Sequence, residues 1–187
     1  MIRRLRLIPF FVMCAAITAQ SQSITNTSYV AADGMRVLRL SIVVPATSRQ
    51  VWEALTTTEG VKSWAVPVAH LDFRVGGIWE SSYNKDGQIG DPGNIQNRFL
   101  SYVPMKMISF QAINAPPTFQ HPEVLKDIFT VNEIEELSPN SVRVTSSMVG
   151  YKNNEAHDAV YKFFERGNAS SLQQLYDRFT KGPREWK

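Results

Sequence analysis

The stretch from Val43 to Glu80, VVPATSRQVWEALTTTEGVKSWAVPVAHLDFRVGGIWE, constrains the fold more than any other part of the chain. It begins in a strand: Leu38, Leu40, Ile42 and Val44 alternate with Arg39, Ser41 and Val43, the two-residue period of a half-buried β-strand. Pro45 ends that strand. Thr47 and Gln50 stand at capping-box spacing, so a helix is predicted to start at Ser48, with Val51, Trp52 and Leu55 on its apolar face. Gly60 interrupts, a second short helix carries Val61 and Trp64, and Pro67 closes the unit. Gly76-Gly77 then suits a tight hairpin, because glycine reaches positive φ at little cost.

Strand-like runs separated by turn signals follow: Val68 to Val75, Ile78 to Asn84, Ile95 to Val103, Met107 to Ala115, Asp127 to Leu137 and Ser141 to Tyr151. Six strands with no helix between them argue for an antiparallel sheet. From Asn154 to about Thr180 the period changes. Ala156, Val160, Phe163, Phe164, Gly167, Ser171, Leu175 and Phe179 recur at three and four, which is helical spacing. A helix of that length reaches across a whole sheet, at roughly 1.5 Å per residue. Gly167 in its middle is expected to permit a close approach or to mark a kink.

The beginning of the chain obeys a different logic. Arg3, Arg4 and Arg6 precede an apolar run, Leu7 to Ile17, that ends in Thr18 and Ala19, the layout of a secretory signal peptide cleaved after Ala19. A retained N-terminal anchor is the alternative. The run is shorter than the roughly 20 residues a spanning helix needs, and no transmembrane segment is expected once the signal is removed. Residues 1–19 hold three of the 20 Lys and Arg and none of the 17 Asp and Glu, so the remainder carries 17 of each and no net formal charge. The basic pI therefore belongs to the leader, and no Lys/Arg stripe suited to nucleic acid is present. Cys14 is the single cysteine and lies in the leader, leaving neither a disulfide nor a thiolate metal site. The chain divides into signal peptide 1–19, a flexible polar lead-in 20–35 and one folded domain 36–182, expected to be periplasmic or secreted.

Strand, two short helices, a run of antiparallel strands and a long last helix give an α+β protein, and three stretches make a resemblance specific. VPATSRQVWEALTTTEGVKSW, LDFRVGGIWE with Asp72, Arg74, Gly76 and Gly77, and FFERGNASSLQQLYDRF in the last helix resemble the SRPBCC (START-like) superfamily, and within it the branch of activator-of-heat-shock-protein-90-ATPase homologues. The resemblance runs from about Val37 to Thr180. It implies the helix-grip fold, a curved antiparallel sheet of about seven strands wrapped on the C-terminal helix, with a deep cavity that takes lipids or other apolar molecules. It implies little about chemistry, since the superfamily spans binding proteins, cyclases and co-chaperone domains. An exported chain would not meet a cytosolic chaperone.

Motifs for phosphate binding, dinucleotide binding, zinc proteolysis, serine hydrolysis and EF-hand calcium are missing from the sequence, and no cofactor or metal is expected. His121, Glu123 and Asp127 form the one compact donor group, read as a solvated loop. His157 and Asp158 are read as complementing the helix dipole in solvent. Glu80 and His157 are the weak catalytic candidates. Trp79, Phe99, Phe110, Phe129, Val144, Met148, Phe163 and Phe164 are expected to line a pocket, with Phe163 and Phe164 closing it from the helix side and Ser146 as a polar contact. Asp72, Arg74 and Glu80 are expected to form an ion pair on the hairpin, with a polar floor to the pocket as the alternative. The leading functional expectation is a binding protein for a small apolar molecule or lipid. A cavity enzyme of cyclase, dehydratase or hydrolase type and a module docking on an envelope protein are the alternatives.

Overall fold

The computed structural model describes residues 23–187. The segment read as a signal peptide lies outside the described residues. Among the described residues nine strands form one antiparallel sheet: β1 (Thr25–Asn26), β2 (Tyr29–Val30), β3 (Arg36–Val44), β4 (Val68–Leu71), β5 (Ile78–Ser82), β6 (Ile95–Val103), β7 (Met107–Asn114), β8 (Phe129–Ser138) and β9 (Ser141–Tyr151). Helices α1 (Ser48–Thr56) and α2 (Thr58–Lys62) follow β3, and α3 (Glu155–Lys181) follows β9.

The order across the sheet is β1-β3-β9-β8-β7-β6-β5-β4, with β2 also paired to β3. After β3 the chain therefore crosses to the far edge through α1 and α2, then returns strand by strand until β9 lies beside β3. The helical pair is needed because no two- or three-residue turn could make that crossing. Its start is built as the sequence dictates: Thr47 Oγ1 accepts from Gln50 N at 3.2 Å and Gln50 Oε1 accepts from Thr47 N at 2.9 Å. Trp64 Nε1 donates to the Ala54 carbonyl at 3.0 Å and ties α2 back onto α1.

Two expectations are revised. Residues 20–35, read as a flexible lead-in, supply β1 and β2, with Thr25 opposite Ser41 and Tyr29 opposite Val37. The free edge of β3 has N–H and C=O groups that need partners, and a polar, aperiodic segment can supply them through its backbone. The Gly76-Gly77 turn is not a two-residue hairpin either. β4 ends at Leu71, and residues 72–77 form a longer loop in which Gly76, at φ 79°, donates to the Phe99 carbonyl at 2.8 Å. The Asp72–Arg74 ion pair forms there at 2.9 Å on the surface, without Glu80.

Leu38, Leu40, Ile42 and Val44 are fully buried and lie beside Met148, Ser146, Val144 and Val142 of β9. Each such side chain contributes about 1.5–3 kcal/mol of burial free energy. Helix α3 runs over this face and is tied at both ends. At its start Asn154 caps the His157 N–H at 3.0 Å and Arg36 Nη2 meets Asp158 Oδ1 at 2.6 Å. At its end Arg178 Nε donates to Ser63 Oγ at 2.9 Å, and the tail adds Arg184 N to Ser63 O and Trp186 Nε1 to Lys62 O. The middle of α3 is left to span whatever lies beneath.

Candidate functional site

Beneath the middle of α3 is a cavity of about 420 Å³, within the range typical of small-molecule sites. The inner face of β5 to β9 forms its floor, α3 its roof, and the junction of α1 and α2 one end, through Leu55 and Trp64. The segment between β7 and β8 forms the remaining wall. Gln111 Nε2 lies 3.0–3.1 Å from the carbonyls of Leu125, Lys126 and Ile128, and so holds Leu125 and Ile128 against the cavity.

Eight of the residues singled out from the sequence as pocket wall line this space, Ser146 of β9 among them. Trp79, Phe110 and Phe129 come from the sheet, as do Val144 and Met148. Phe163 and Phe164 come from α3. Trp79 and Phe110 meet edge to face at 5.4 Å, and Met148 is steadied by Tyr151, whose hydroxyl donates to Sδ at 3.4 Å. Tyr151 is fully buried, which pushes its phenol well above the ordinary value. Phe119 packs on Phe163 at 5.3 Å and on Phe164 at 5.9 Å, and these two rings meet at 5.2 Å. Phe163 is 51% exposed and Tyr83 68%, so the cavity reaches solvent beside them.

Phe99 does not line the cavity. It stands on the inner face of β6 as alternation requires, but Phe73 of the 72–77 loop covers it at 5.0 Å, with Trp52 on the other side of Phe73 at 5.6 Å. It is packed core at the end of the site.

Neither catalytic candidate faces the cavity. Glu80 sits between Trp79 and Ser81, both of which line it, and therefore points to the opposite face of β5. Its Oε1 accepts from Gly90 N at 2.5 Å and Asn94 Nδ2 at 2.7 Å, organising the loop between β5 and β6. His157 was expected in solvent and is 3% exposed. Its Nδ1 accepts the Lys152 N–H at 3.1 Å, which places the ring proton on Nε2, 3.4 Å from Asp127 Oδ2. Lys152 Nζ reaches the same carboxylate oxygen at 2.7 Å, and this hydrogen bond holds the Asp127 carboxyl below the usual range. Asp127 thus leaves the donor group expected with His121 and Glu123, whose remaining pair lies on the surface at 3.3 Å. Among the described residues, no cluster of His, Cys, Asp or Glu could hold a metal ion.

Sequence reasoning missed Trp64, Asn132 and Asn168 as wall residues. Trp64 follows α2 and reaches the end of the cavity. Asn168 lies one helical turn from Phe164 and one from Leu172, a spacing that places it on the cavity stripe of α3. Asn132 is directly opposite Ser146 across β8 and β9, a polar pair where an apolar one would fit a solid core.

A curved antiparallel sheet gripping a long C-terminal helix over a cavity defines a helix-grip, START-like protein. Residues 45–180 match the family described as Activator of Hsp90 ATPase homolog 1-like protein, and the chain belongs to that family. No curated relative matches the sequence. Among solved structures the chain is similar to the Aha1 dimer from Colwellia psychrerythraea, with 18% identity and a TM-score of 0.62 over 78% of this chain and 97% of that one. It is also similar to CalU16 from Micromonospora echinospora, with 14% identity and a TM-score of 0.59 over 89% and 88%. A conserved protein of unknown function, EF2215 from Enterococcus faecalis, gives 15% and 0.56 over 82% and 76%. At such identities the likeness concerns the fold.

Proposed function

We propose that this chain is an exported binding protein that carries a small apolar molecule or lipid in the cavity under α3. The observation that carries the reading is the cavity itself: about 420 Å³ walled mainly by aromatic and aliphatic side chains, where a helix-grip fold could equally have been packed solid. An enzyme reading has less support. Glu80 and His157, the groups it would need, are committed to the loop and to the start of α3. Export rests on the Arg-rich, then apolar, then small-residue pattern of residues 1–19. It also argues against a cytosolic chaperone as the partner.

The reading is tested by native mass spectrometry of the mature protein purified from its own host's envelope, with the denatured mass as control. An apolar adduct, lost in a Gly167→Leu variant that fills the roof of the cavity, is the expected result. A Gly167→Leu protein that keeps its adduct would place the ligand elsewhere. Recovery of the chain in the cytosol, with residues 1–19 still attached, would overturn the export half of the reading.

A further inference from the structure

We infer that the cavity selects an electrically neutral guest, an apolar molecule whose polar groups are hydroxyl, carbonyl or amide, and rejects carboxylates and other ions. This deepens the binding reading above and rests on it.

The first ground is the composition of the wall. Among the described residues that line the cavity there is no Asp, Glu, Lys, Arg or His. The chain has charged groups close by in sequence, and the fold turns them away: Glu80 to the outer loop, His157 to Asp127 and Lys152. Helix α3 contributes no dipole end either, because Phe164 to Leu175 are its middle turns, more than one turn from each terminus. A charge carried past the opening into the cavity would leave water with nothing of opposite sign to meet it.

The second ground is that the wall is not uniformly apolar. Three of its residues hold a buried polar atom with no hydrogen-bond partner among the described residues: Trp79 Nε1 on β5, Asn132 Oδ1 on β8 and Asn168 Nδ2 on α3. They are two donors and one acceptor, from three separate elements. A plain hydrocarbon would leave all three without a partner. The terminal torsion of asparagine is broad, so a modest rotation of Asn132 or Asn168 presents its amide to a guest. A hydroxyl both donates and accepts and can pair with either amide once it has turned. A carboxylate only accepts, and its charge has no counterpart.

The test uses the mature chain loaded with Nile red, an uncharged dye, displaced by 1-decanol, decane or decanoic acid between pH 5 and pH 8. Displacement by decanol is expected to be independent of pH. The apparent affinity of decanoic acid is expected to fall about tenfold for each pH unit above its own pKa, since only the neutral acid enters. Asn132→Leu and Asn168→Leu are each expected to cut the preference for decanol over decane by about threefold to tenfold. Decanoate that displaces the dye at pH 8 as well as decanol does would overturn neutral selection while leaving the binding site intact. Unchanged decanol preference in both variants would overturn the role of the amides. Failure of Nile red itself to bind would remove the binding site, and this inference with it.

Discussion

Trp79 and Glu80 are neighbours in β5 that serve opposite sides of the sheet: the indole lines the cavity, and the carboxylate closes the 83–94 loop through Gly90 and Asn94. Glu80→Ala removes the acceptor of the buried Asn94 amide and of the Gly90 N–H, and is expected to cost about 1–3 kcal/mol in denaturant unfolding. Glu80→Gln keeps the Oε1 acceptor and should lose much less. Both variants should bind Nile red as the parent does once folded. A Glu80→Gln protein of full stability that loses ligand or a catalytic activity would return Glu80 to the site.

Asp127 joins the end of β9 to the start of α3 through Lys152 and His157. Its carboxyl is held below its ordinary 3.8, chiefly by the Lys152 hydrogen bond, with the charges of Lys152 and Lys126 acting in the same sense. A depressed folded-state value means the stabilisation is complete above 3.8 and is lost as pH falls through the folded value. The difference in melting temperature between the parent and Asp127→Asn should therefore be constant above about pH 5 and shrink below 3.8. In a Lys152→Met background that pH dependence should weaken. A difference that grows on acidification would contradict the arrangement.

Much of this was legible because periodicity reports which face a side chain takes. The α3 stripe carrying Phe164, Gly167, Ser171 and Leu175 is read correctly from spacing alone, and so is the inward set Val144 and Met148 of β9. Periodicity says nothing about position along an element. Phe99 has the right face but lies where Phe73 covers the sheet. Asn132 and Asn168 were passed over because polar residues are ordinarily discounted as wall material, although an unfilled cavity needs no apolar side chain at every point. The pairing of 25–30 with β3 left no pattern to read, since it is made by backbone groups.

Gly167 permits no close approach, contrary to the expectation from the sequence, because a Cβ added there meets nothing within 4 Å. Gly167→Ala should stabilise the protein by up to about 1 kcal/mol through helix propensity alone. Thermal unfolding of the apo protein checks this. A loss of stability would mean that the roof lies closer to the sheet than described.

Phe119 is the one ring of the 115–128 segment that meets α3 beside the opening, through Phe163 and Phe164. Aromatic pairs of this kind contribute about 0.5–1.5 kcal/mol beyond the area they bury. With two such contacts, Phe119→Ala should remove part of the wall on the side where Phe163 is half exposed, and the guest should leave faster. The expected change is about tenfold in the Nile red dissociation rate, read by stopped-flow dilution, with a smaller change in association. Phe119→Leu, which keeps the bulk without the ring contacts, should fall between. Equal dissociation rates in all three proteins would show that the guest leaves by another route, and the end wall at Leu55 and Trp64 would be the next place to cut.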